Sequence, residues 1–128
     1  MDTATDIQIV TLAQWLSPAF PVGAFHFSHG LEWAIDTGSI VNGENLRHWI
    51  ADLLEMGTGA NDAIFLAAAC NAATETALAE VDATARAFAP SSERLKETLE
   101  IGGTFGKIVG SLLGRELPRL VYPVAVGH

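Results

Sequence analysis

His26, His29 and Glu32 stand three residues apart in the stretch SPAFPVGAFHFSHGLEWAI, residues 17–35. Two imidazoles and a carboxylate are donors that a transition metal accepts. On a helix that begins early enough, this spacing sets them at neighbouring positions. The pattern is not the i, i+4 histidine pair of zinc enzymes, and only His29 and Glu32 fall safely within the helix expected from Ser28 to Gly38. A stable metal centre also needs outer groups that orient its ligands, and none is recognisable. That leaves His29 and Glu32 as candidates for transient contact with an ion. The same stretch carries Pro18, Pro21 and Gly23, which read as loop, beside Phe20, Phe25 and Phe27, which are too apolar for a solvated one. Three uses fit these residues: a metal site, a docking surface, or a plug in which Phe20 and Phe25 fill core.

No second constellation competes with this one. The serines precede helices, where their hydroxyls cap amides. Asp36, Asp52, Asp62 and Asp82 are spread over different elements, and Glu75 and Glu80 belong to a solvated face. Cys70 lies in IFLAAAC, reads as a small core residue, and has no cysteine to pair with. GGTFGKI fails as a phosphate loop, because Ile101 stands where glycine is required and Ile108 where Ser or Thr is required. Nothing here makes a case for an enzyme.

The elements that must position the opening stretch are all helical. Ile9, Leu12, Ala13 and Leu16 form one face of a first helix, with Asp6 as N-cap and Pro18 as terminator. After Asn42, a stripe of Leu46, Trp49, Ile50, Leu53 and Leu54 marks an amphipathic helix that Gly57 and Gly59 punctuate. Residues 60–73 are apolar nearly all round, which reads as a central buried helix. Its Asn61 and Asp62 sit at the N-terminal end, where an acid suits the dipole. Leu78, Val81, Ala85 and Phe88 line a further helix closed by Pro90, and Ser91 or Ser92 caps a long one running to Leu113. Within that last helix Gly103, Gly106 and Gly110 share a face. Tight packing inside the bundle accounts for them more simply than a groove for a partner. No segment alternates as a strand does, so the fold expected is all-α, a compact helical bundle in one domain over residues 1–128.

Composition narrows the function classes. Hydrophobic residues make up 49% of the 128 and charged residues 17%, which suits a packed core and argues against disorder. The formal net charge of -8 makes a phosphate backbone a poor partner, so no nucleic acid is expected. No stretch reaches the roughly 20 apolar residues of a membrane span, and MDTATDIQ lacks the basic start of a signal peptide. A cytoplasmic protein away from membranes is the expectation.

Leu16, Ser17 and Pro18, then Pro21, Val22, Gly23, Phe27, Ser28, Gly30, Leu31 and Glu32, resemble the N-terminal signature of the UreF family of urease accessory proteins. NDAIFLAAA, the helix around Gly106, and YPVAVG come in the family's order. The resemblance implies an all-helical protein that continues past YPVAVG for several more helices. On that comparison the chain is truncated at its C-terminal end, with Pro123 in the first turn of a further helix. It also implies a non-catalytic scaffold that bridges UreD (also called UreH) and the GTPase UreG. Nickel then moves through the complex to apo-urease as cargo, with no cofactor resident in the chain. Self-association is expected as well, because faces meant for missing helices would lie uncovered. The partner-binding candidates are Pro21, Phe25, His26, His29 and Glu32. The competing reading is a small helical metal-binding protein or metalloenzyme built on His26, His29 and Glu32.

Overall fold

A computed structural model describes residues 5–24 and 27–128. Among these residues there are seven helices and no strand, as the periodicity predicts: α1 (Asp6–Trp15), α2 (Leu31–Asp36), α3 (Gly43–Glu55), α4 (Thr58–Cys70), α5 (Glu75–Ala87), α6 (Ser92–Leu113) and α7 (Tyr122–Gly127). Side-chain caps start most of the longer ones. Asn42, Thr74 and Ser91 each accept the backbone N–H three residues on. For α1 the cap is Thr5 rather than Asp6: its hydroxyl accepts from the Gln8 amide, while the Gln8 side chain returns to the Thr5 amide. Asp6 becomes the first helical residue, where its charge still suits the dipole.

The core lies on the middle of α6 and on the C-terminal segment after that helix. Ile101, Phe105 and Val109 pack with Leu120, Val121, Val124 and Ala125, and α5 adds Leu78 and Ala85. The short α7 sits between α4 and α6 and also touches α5. Residues 115–121, which form no helix, reach it as a strap laid along α6. The strap explains two of the glycines of α6, Gly102 and Gly110, whereas Gly103 and Gly106 would meet it only at ordinary contact distance. A β-carbon at Gly102 would collide with the Leu120 carbonyl oxygen, and one at Gly110 would come within 2.6 Å of the Arg115 carbonyl oxygen. Backbone lies on helix here, so the glycine face is filled from within the chain. The face runs through Gly102, Gly106 and Gly110, with Gly103 only half-buried beside Arg119.

Polar groups fasten the strap from both sides. Asp82, buried on α5, accepts the Val121 amide at 2.8 Å with Oδ1 and Arg86 Nε at 2.6 Å with Oδ2. Arg86 donates onward to the Arg119 carbonyl at 3.1 Å, and Thr98 on α6 accepts the Tyr122 amide at 3.1 Å. These backbone groups at the end of the strap are thereby satisfied.

Three expectations are corrected. The apolar helix α4 is not buried all round: Ala69 is its buried residue, and Ile64 is 64% exposed. The most buried segment is α7, which a six-residue element hides from periodicity arguments. Cys70 is exposed at the last turn of α4 rather than part of the core. The α1 face of Ile9, Leu12 and Leu16 also points outward, and the helix holds the core through Trp15, edge-on to Phe105 at 5.9 Å.

Candidate functional site

The segment between α1 and α2 is held to the core by its own apolar residues. Phe20 lies 5.7 Å from the Phe105 ring, Val22 is buried, and Phe27 packs on the same cluster. Short-range bonds shape the backbone between them: the Phe20 amide to the Ser17 carbonyl at 3.0 Å, and the Val22 amide to the Phe20 carbonyl at 2.8 Å. The plug reading is therefore correct for Phe20. Phe25 and His26 lie outside the described residues. Pro21 is exposed on the outer side of this folded-back loop.

Next comes a tight turn from Ser28 to Leu31, closed by the Leu31 amide on the Ser28 carbonyl at 3.0 Å. Both central residues are left-handed, His29 with φ 54° and Gly30 with φ 79°. Glycine adopts that conformation freely and histidine does not, so the fold around the turn must hold His29 there. The expectation that His29 is helical is thus overturned: α2 starts at Leu31, and only Glu32 lies in it. A shared helical register for His29 and Glu32, which the metal reading needs, does not exist. Among the described residues no group of three His, Cys, Asp or Glu side chains is placed to hold a metal ion. Both His29 and Glu32 are exposed, Glu32 in the first turn of α2.

The turn forms one wall of a depression. Phe27, Ser28, His29 and Gly30 face Leu53 of α3, Thr58 of α4, Pro90, and the Arg94–Glu97 pair of α6. The Trp49 ring supports the turn from beneath, with its Cζ2 3.9 Å from where a Gly30 β-carbon would stand. Arg94 and Glu97 are bonded to each other one turn apart, with Glu97 buried. Thr58, Pro90 and Arg94 also line a second cavity of about 250 Å³, between α4, the end of α5, the start of α6 and Pro123 of α7.

Asp62 belongs to that second cavity. The residue as a whole is exposed on the open side, yet the walls crowd water away from its carboxyl. This burial pushes the carboxyl above the ordinary range, against the pull of Arg94 and His29, and Glu97 pushes the same way as burial. Sequence reasoning assigned Asp62 only to the helix dipole, yet α4 has no acid in its first turn. The cavity residues come from several helices and the loops between them, and no spacing along the chain announces them. Of the candidates read from the sequence, His29 joins this region directly, whereas Glu32 and Pro21 lie outside both linings.

Comparison with known proteins places this geometry in a family. A sequence model described as UreF matches residues 40–128. The urease accessory protein UreF of Ruegeria pomeroyi is 48% identical over 128 residues, covering all of this chain and 59% of the relative. That of Cereibacter sphaeroides strain KD131 is 52% identical over 120 residues, covering 94% of this chain and 56% of the relative. That of Rhodopseudomonas palustris strain BisB5 is 45% identical, covering 91% and 53%. The chain therefore spans between 53% and 59% of the length of these relatives. No solved structure matches it. No helix among the described residues is long and apolar enough to cross a membrane. With a family match over most of its length and half-identical relatives along all of it, the chain belongs to the UreF family of urease accessory proteins.

Proposed function

We propose that this chain acts as a non-catalytic scaffold in urease maturation. It binds UreD (UreH), recruits the GTPase UreG, and so helps deliver nickel to apo-urease in the cytoplasm, the ion passing as cargo. The observation that carries this reading is the division of labour in the segment after α1. Phe20, Val22 and Phe27 anchor it to the core, and Pro21, His29 and Glu32 are left exposed on a backbone pinned by a left-handed turn. A rigid, exposed surface loses little freedom when a partner arrives. A metalloenzyme on His26, His29 and Glu32 is not favoured, since His29 lies in the turn and outside the helix that carries Glu32.

Co-purification with the two accessory partners tests the scaffold, and Glu32→Ala tests the surface. Because Glu32 is exposed, its loss should move the melting temperature by less than roughly 3 °C. The same change should reduce urease activation or capture of the GTPase. Unchanged activation, or a large fall in melting temperature, would return this segment to a purely structural role.

A further inference from the structure

The cavity beside Asp62 holds a carboxylate without a match. Among the described residues Asp62 makes no side-chain hydrogen bond or ion pair, although it sits in a wall that desolvates it. Arg94 of the lining is bonded to Glu97, and Arg86 on α5 is committed to Asp82 and the Arg119 carbonyl. Around the carboxylate stand large apolar groups that the fold leaves in water. Phe88 is 61% exposed and edge-on to Phe65 at 5.7 Å, and Met56 is 86% exposed. Asn61 and Thr98 add hydrogen-bonding groups to the lining.

We propose that this cavity receives an arginine side chain of a partner protein, its guanidinium paired with Asp62 and its plane against the exposed Phe88 ring. Charge complementarity selects the occupant. The chain carries a net charge of -8, and Arg94, the one cation that the described residues place in the wall, is bonded to Glu97, its pull on Asp62 being outweighed by burial of the carboxyl. A cation is therefore the fitting guest and an anion is not. Aromatic faces beside a carboxylate suit the planar guanidinium, which stacks and bonds in two places at once, better than a compact ammonium. A buried arginine ringed by apolar contact is also a recurrent anchor of protein interfaces. The identity of the partner rests on the scaffold reading above, whereas the chemistry of the cavity does not.

Amide NMR spectra of the labelled chain, titrated with the capped peptide Ac-Gly-Arg-Gly-NH2 and with its citrulline counterpart, test the cavity directly. The arginine peptide should shift amides around Asp62, Phe65 and Phe88, and the neutral citrulline peptide should not. Asp62→Asn should weaken the response about tenfold, the loss expected for one charge-assisted hydrogen bond. Phe88→Ala, on the open rim, should weaken it as well with the spectrum otherwise kept. No shift with the arginine peptide, or equal shifts with citrulline or with Asp62→Asn, would overturn the proposal. So would capture of the urease accessory partners equally by parent and Asp62→Asn. Arginine binding without capture of any accessory partner would instead uphold the cavity and remove the scaffold reading.

Discussion

Removing the carboxylate of Asp82 should unfasten the strap that carries α7. Asp82 is 6% exposed, and its two oxygens hold the Val121 amide at 2.8 Å and Arg86 Nε at 2.6 Å. In Asp82→Ala the Val121 N–H is left buried and unpaired, and a lost bond to a charged group costs about 1.5–3 kcal/mol. The Arg86 side chain is 38% exposed and can recover water, so the ion pair adds little beyond this. The sum is about 2–3 kcal/mol, which for a chain of this size lowers the melting temperature by roughly 6–15 °C. Urea and thermal unfolding followed by circular dichroism measure it, with Glu75→Ala on the exposed face of the same helix as a control. Hydrogen exchange supplies the local readout: the Val121 amide should lose protection in the variant. Asp82→Asn keeps the shape and an acceptor for Val121 but turns an N–H donor toward Arg86 or toward the amide, so its loss should fall between parent and alanine. A change below about 0.5 kcal/mol, on the scale of neutral surface substitutions, with Val121 still protected, would refute the tether.

Gly102→Ala should destabilise by about 2–3 kcal/mol in the same unfolding assays, because its methyl meets the backbone of Leu120 to Tyr122, which cannot give way as a side chain would. Gly114→Ala, also a glycine but with open space around it, tests strain from a left-handed backbone alone (φ 67°) and should cost less. The carboxyl of Asp62 is raised from 3.8 by burial, so its contribution to stability is fully present below that value and is lost as pH rises through the raised one. Asp62→Asn should therefore be more stable than the parent at neutral pH, with the advantage vanishing as pH falls toward 3.8; a variant less stable at neutral pH would contradict the desolvation argument. The chain should self-associate, since Ile7, Val10 and Leu12 of α1 and Leu54 of α3 all lie exposed, and light scattering that finds a monomer across concentrations would refute this.

The helices were legible wherever a cap or a long stripe marked them. Asn42 and Ser91 cap the helices expected after them, and the long helix ends at Leu113 as its pattern predicts. Burial was less legible, because periodicity says which residues share a face and not what covers it. The α3 stripe shows the difference: Leu46, Trp49 and Leu53 are half-buried, whereas Leu54 on the same stripe is 62% exposed. Asp82 was unreadable for another reason. An acid on an amphipathic helix reads as solvated, and only its partner 39 residues away makes it a core residue. Chain-level resemblance reached the family through the turn residues of the opening segment, which no hydrophobic pattern could have done.

Exposed apolar side chains occur on several helices, but three departures of different kinds adjoin at one place. His29 holds a left-handed backbone in the wall of one depression. Asp62 is desolvated, and Phe88 and Met56 stand in water, in the wall of its neighbour. The two depressions share Thr58, Pro90 and Arg94. Each departure costs stability by itself, and each persists only where the surrounding structure over-determines it. At the strap, by contrast, the Asp82 tether satisfies every group it touches. Beneath the His29–Gly30 turn the Trp49 Nε1 is itself buried without a partner among the described residues, so strain, an unpaired donor, a desolvated carboxylate and exposed aromatic surface adjoin at the two depressions, the place where the proposed partner contact is expected.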